Sequence, residues 1–106
     1  MVTKQELYLW VFSALVTEIY PEIRAIAIKF SETNELLLRY YLDREPTEFD
    51  YDSIDMVMSE ILANTSSADD ITYHQVECIF TEEDMKKLDR LDLFVYARRE
   101  YALEGW

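Results

Sequence analysis

Apolar and polar positions along this chain follow two rhythms, one helical and one with a period of two. Leu7, Trp10, Val11, Ala14, Leu15 and Ile19 fall on one helical face, and Thr3 with Glu6 has the spacing of a capping box. A first helix is expected there, ending at Tyr20 with Pro21 behind it. Residues 22–31 then alternate, with Ile26, Ile28 and Phe30 separated by small or charged residues, and residues 36–42 repeat the alternation. These read as two strands. The turn between them centres on Thr33 and Asn34, short enough for a hairpin, and Asn34 is suited to a positive φ.

The helical period returns after Pro46. Thr47 and Asp50 again have capping-box spacing, with Asp in place of the usual Glu or Gln, and Ile54, Val57, Met58, Ile61 and Leu62 trace a single buried stripe. Asp50 is the one acid of this helix whose angle brings it near that stripe, consistent with an N3 capping acceptor. Residues 64–70 have loop composition, and residues 71–80, rich in β-branched and aromatic side chains, read as a third strand. The charged stretch 81–92 fits one or two helical turns or a long connection, and residues 93–100 close the chain as a fourth strand.

The expected fold is therefore α+β, in the order α-β-β-α-β-β, as one domain over residues 1–106. Both helices should lie on one face of a four-stranded antiparallel sheet, since each amphipathic stripe needs the same apolar partner. Trp10, Leu15, Ile28, Phe30, Leu38, Val57, Ile61, Val76 and Val95 are the expected core. Leu37, Tyr41, Tyr73 and Ile79 fall on the opposite sheet face, which this arrangement leaves without a covering layer. That face is either a partly wet sheet surface or a tyrosine-bearing contact surface.

Charge narrows the range of partners. Against 22 acids the chain has 10 bases, a formal net charge of −12, which repels nucleic acid and anionic membranes and speeds encounter with basic partners. Between Asp43 and Glu60 there are seven acids and one base, Arg44. Glu48, Asp52 and Asp55 point away from the buried stripe of the second helix, Glu45 lies just before its cap, and Tyr51 stands at the flank. These five residues are the candidate partner-binding site.

Little in the chain supports other chemistry. Gly105 is the one glycine, which excludes a glycine-rich phosphate cradle. Cys78 is the one cysteine, so there is no internal disulfide or cysteine-built zinc site, and its apolar surroundings make it a core residue. His74 is the one histidine. On a strand it would sit about 13 Å from Cys78, beyond hydrogen-bond reach, and reads as structural. The acids at 69–70 and 82–84 lack the glycine turn and spacing of a calcium loop. No catalytic residue, cofactor or metal ligand is assigned. No signal-peptide pattern and no apolar run of membrane-spanning length occurs, so a cytoplasmic location is expected.

Residues 36–63, LLLRYYLDREPTEFDYDSIDMVMSEILA, and residues 91–100, LDLFVYARRE, resemble the small immunity proteins of bacterial polymorphic-toxin and contact-dependent growth inhibition systems. The likeness rests on a strand ending in an aromatic residue and Asp43, an acidic helix carrying Ser59, Glu60 and Ile61, and a late strand of aromatic and paired basic residues. It departs from that pattern at Ser59, where Thr is commoner, and at Asn64, where Asp is. The resemblance implies a protein that binds and blocks one cognate toxin domain, commonly a nuclease, as a monomer or weak homodimer and without a cofactor. The competing classes are an acidic adaptor bound through the tyrosine-bearing face, and a small enzyme using carboxylates, which would need a pocket with convergent polar groups.

Overall fold

The computed structural model describes residues 2–100. Helix α1 (Lys4–Leu15) leads into strands β1 (Ile23–Phe30) and β2 (Glu35–Leu42). Helix α2 (Glu48–Leu62), strand β3 (Tyr73–Phe80), a short 3-10 turn (Met85–Lys87) and strand β4 (Leu93–Ala97) follow. The sheet order is β3-β2-β1-β4.

Helix α1 begins where its sequence signal places it: the Thr3 hydroxyl accepts from the Glu6 N–H at 3.1 Å, and the Glu6 carboxylate accepts from Thr3. It stops earlier than its apolar pattern implies, at Leu15 instead of Tyr20. Thr17 adopts φ 70°, a left-handed conformation that is costly for a β-branched residue and turns the chain out of the helix. Tyr20 can then reach beneath the start of α2, while Ile19 is left exposed.

The β1–β2 hairpin has the expected form, with Asn34 at φ 63° and the Ser31 N–H bonded to the Glu35 carbonyl at 3.0 Å. Within it, Ile23 pairs with Leu42 and Ala25 with Tyr41, so two steps of β1 match one of β2 and Arg24 is the extra, bulged residue. The bulge lets Ile23 and Ile26 both face the helices. A matching irregularity occurs at Val95, between the Tyr96 and Phe94 pairings of β4 with β1.

The all-antiparallel sheet expected from the sequence is not what forms: β3 runs parallel to β2, from Glu35↔Tyr73 to Leu42↔Phe80, so the sheet is mixed. The cause is the helix between them. Fifteen residues of α2 rise about 22 Å, close to the length of an eight-residue strand, and return the chain to the starting end of β2. A strand laid down from there runs the same way as β2, as in any β-α-β crossover. Hydrogen bonds from the Thr72 N–H to the Asn34 carbonyl (2.9 Å) and from the Asn34 amide to the Asp69 carbonyl (3.0 Å) fasten this return to the hairpin turn.

Both helices pack on one face, as expected. Leu7, Val11, Leu15, Ile26, Ile28, Phe30, Leu38, Ile54, Val57 and Ile61 form a single buried core with Cys78. Trp10, Val76 and Val95, expected inside, are only partly buried and pack against its margin. The other face is not the open surface expected. Strand β4 pairs with β1, at the far side of the sheet from β3, so residues 81–92 must cross the sheet, and they do so over the face without helices. Ala25 and Ala27 leave room for Met85, Leu88 and Leu91 to lie there, and Tyr41 is buried beneath them with its hydroxyl donating to the Asp89 carbonyl at 2.8 Å. Tyr73 stays exposed, with Leu37 and Ile79 half-buried. Among the described residues no helix is long and apolar enough to cross a membrane.

Ile61 has no exposed surface and sits in the core, whereas Ile19 is 40% exposed beyond the end of α1. Ile61→Ala should cost ~2–5 kcal/mol of unfolding free energy and Ile19→Ala less than about 0.5 kcal/mol, as measured by denaturant titration.

Candidate functional site

The acidic helix is held by one buried carboxylate. Asp50 has no exposed surface, and five donors converge on it: the Tyr20 hydroxyl at 2.5 Å, two Arg44 guanidinium nitrogens at 2.6 and 3.1 Å, the Thr47 N–H at 2.7 Å and the Thr47 hydroxyl at 3.1 Å. The capping position read from the sequence is therefore correct, but capping is only part of what Asp50 does. It also draws in Tyr20 from the α1–β1 connection and Arg44 from the β2–α2 connection. Burial alone would raise its pKa; the hydrogen bonds from Arg44, Tyr20 and Thr47 outweigh that and hold the carboxyl below its ordinary value of 3.8. Burial and the bond to Asp50 push the Tyr20 phenol well up, so it remains a neutral donor.

This network has a consequence for the surface. Arg44, the one base between Asp43 and Glu60, turns inward to Asp50. Glu45, Glu48, Tyr51, Asp52 and Asp55 are all exposed. Among the described residues none of the four acids has an ion-pair partner within 4.0 Å. Glu48, Asp52 and Asp55 follow one side of the first half of α2, where the positive end of the helix dipole favours acids. Tyr51 lies to the flank, 44% exposed.

A second polar cluster, which no local sequence pattern marks as a unit, lies at the ends of the strands. At the bulge in β1, buried Arg24 grips Glu100 through two bonds, Nε to Oε2 at 2.8 Å and Nη2 to Oε1 at 2.7 Å, and donates from Nη1 to the Thr81 carbonyl at 2.9 Å. Arg98 bonds Asp43 and the Pro21 carbonyl, each at 2.7 Å, and also reaches Glu100. The arrangement joins the ends of all four strands, and it explains why β4 stops at Ala97: the residues beyond it serve as clamps. Hydrogen bonds from Arg24 outweigh burial and, with those from Arg98, pull the Glu100 carboxyl down. The pairing of basic residues at 98–99 was the visible signal; the partner at position 24, far away in sequence, was not.

The remaining reactive groups are placed apart. Cys78 is buried, and burial pushes its thiol up to about 12, so it is an inert core residue. His74, read from sequence as structural, is instead exposed on the edge strand β3. Among the described residues no three His, Cys, Asp or Glu side chains gather as a metal site.

These features define a small acidic α+β domain whose arginines at 24, 44 and 98 brace the fold internally and whose negative charge is displayed along one helix. Residues 4–100 match the family model of the MafI2 immunity protein, and the chain belongs to that family. No curated protein matches it.

Because the native Asp50 carboxyl is held below its unfolded value, its stabilisation is complete above about pH 4 and is lost as pH falls from there toward the native value. Glu100 acts in the same sense. Asp50→Ala, which strands the Tyr20 hydroxyl and the Thr47 N–H, should cost about 2–4 kcal/mol at neutral pH. Thermal melts between about pH 7 and pH 3 should show a smaller acid-induced loss in this variant than in the wild type.

Proposed function

We propose that this chain is the immunity protein of one cognate toxin, that it binds the toxin's C-terminal domain without turnover or cofactor, and that this domain is a basic nuclease. Membership of an immunity protein family supports the toxin-neutralising part of the reading. The observation that carries the finer part is the ridge of Glu48, Asp52 and Asp55, with Glu45 before it, left without bases by the inward turn of Arg44 in a chain of net charge −12. A nuclease must attract phosphate and is usually basic over its cleft, so an acidic inhibitor meets it quickly and occupies the surface that nucleic acid would use. The chain acts in the cytoplasm of the cell it protects, as a monomer or weak homodimer. Tyr51, amphipathic and at the flank of the ridge, supplies contact area beside the charges.

Co-expression with the protein encoded by the adjacent reading frame tests the reading. Survival and co-purification of the two chains are expected; turnover of a substrate by the isolated chain, or death of cells co-expressing both, would contradict it. Reversing Glu48, Asp52 and Asp55 to Lys adds two charges at each site and moves the formal net charge from −12 to −6. All three are exposed, so unfolding free energy should fall by no more than about 1–2 kcal/mol, chiefly through Glu48 at the positive end of the helix, and the fold should be retained. Association with the toxin domain should slow about tenfold or more at low salt, measured by stopped flow.

A further inference from the structure

Helix α1 is apolar on the side that faces solvent as well as on the side that faces the core. Leu9 and Phe12 lie opposite Leu7, Val11 and Ala14, 64% and 46% exposed, and Val16, the residue that caps the helix end, is 67% exposed. A helix apolar on both sides is ordinarily covered on both. Helix α2 adds to the same layer. The Tyr20 and Phe49 rings meet edge to face at 5.0 Å, which sets Phe49 on the flank of α2 nearest the chain leaving α1. Met56, two turns further on, shares that flank, and both are more than half exposed. The helices pack against each other, and the Tyr20 to Asp50 bond ties the connection that leaves α1 to the start of α2. Both apolar lines lie on exposed flanks of this helix pair, and on α2 the line is bordered by Glu48, Asp52 and Asp55.

We propose that this apolar strip, centred on Leu9, Phe12, Val16, Phe49 and Met56, is the desolvated centre of the surface that takes the toxin, and that the acidic ridge is its rim. The inference rests on the immunity reading and adds the chemistry of the partner: an apolar patch edged by Lys and Arg. Protein interfaces divide in this way, with apolar and aromatic anchors in a dry centre and charges at the wet edge. The rim governs association and the centre governs dissociation. Charge selects the occupant. A second copy of this chain would bring −12 against −12, whereas a basic partner satisfies the ridge while covering the strip.

The test pairs Leu9→Ser/Val16→Ser with the wild type, using as probe the C-terminal toxin domain encoded in the adjacent reading frame and measuring association and dissociation separately. Both sites are more than 60% exposed; the melting temperature verifies folding. Dissociation should quicken about thirtyfold or more, with association changed by less than about threefold. Should the double variant fail to fold, Met56→Gln on the other helix decides alone, with faster dissociation expected. Unaltered dissociation, with the wild type still binding, overturns this inference and leaves the immunity reading standing. A wild type that does not bind the toxin domain overturns both. Sedimentation of the wild type as a dimer that Leu9→Ser/Val16→Ser disperses, with toxin binding unaltered, assigns the strip to a second copy and overturns the inference.

Discussion

The bond between Asp50 and Arg44 is the interaction on which the architecture and the surface both depend. Asp50 is fully buried, and a buried carboxylate is tolerable only when its lone pairs are filled and a cation stands beside it. Meeting those demands brings Tyr20, Arg44 and Thr47 to one point, where the end of the α1–β1 connection, the exit from β2 and the first turn of α2 converge. The start and tilt of α2 are thereby set from three directions. The same pairing engages the half-buried Arg44, and among the described residues the acids Glu45, Glu48, Asp52 and Asp55 have no ion-pair partner of their own. Interior satisfaction and exterior charge are two results of a single contact.

The second cluster works by the same logic at the other end of the strands. Arg24 stands at a bulge, and the bulge is what brings its guanidinium onto Glu100 and the Thr81 carbonyl. Strand β4 is a five-residue edge strand, paired on one side only. The ion pairs from Arg24 and Arg98 hold its far end against β1, β2 and the exit of β3. Together the two clusters pair Arg24, Arg44 and Arg98 with Glu100, Asp50 and Asp43, so the whole net charge of −12 is carried by the side chains outside them.

Local features were legible in the chain, and long-range pairings were not. Capping boxes at Thr3 and Thr47, the Asn34 turn, the alternation in β1 and β2 and the stripe of α2 depend on neighbours in sequence, and each lies where it was read. The parallel pairing of β3 was missed because alternation tells which face a residue takes and nothing of the direction in which strands run. What could have revealed it is length: a helix about as long as the strand before it favours a crossover over a hairpin. Tyr41 was misplaced for a similar reason, since whether residues 81–92 cover its face follows from where β4 docks. The outward stripe of α1 is not distinguishable by period, because so many apolar residues in LYLWVFSALV satisfy more than one helical register. At the site, the exposure of Glu48, Asp52 and Asp55 was readable from period alone, whereas the capture of Arg44 by Asp50 needed the fold.

An acidic ridge that meets a basic toxin domain across solvent associates by electrostatic encounter, which salt screens. The association rate of the wild-type chain with its toxin domain, followed from about 0.02 to about 0.5 M salt, tests it most directly, because the screening length falls over that range from about 20 Å to about 4 Å. The rate should drop by about tenfold or more while dissociation barely changes. An association rate that stays level across the same range would contradict the account.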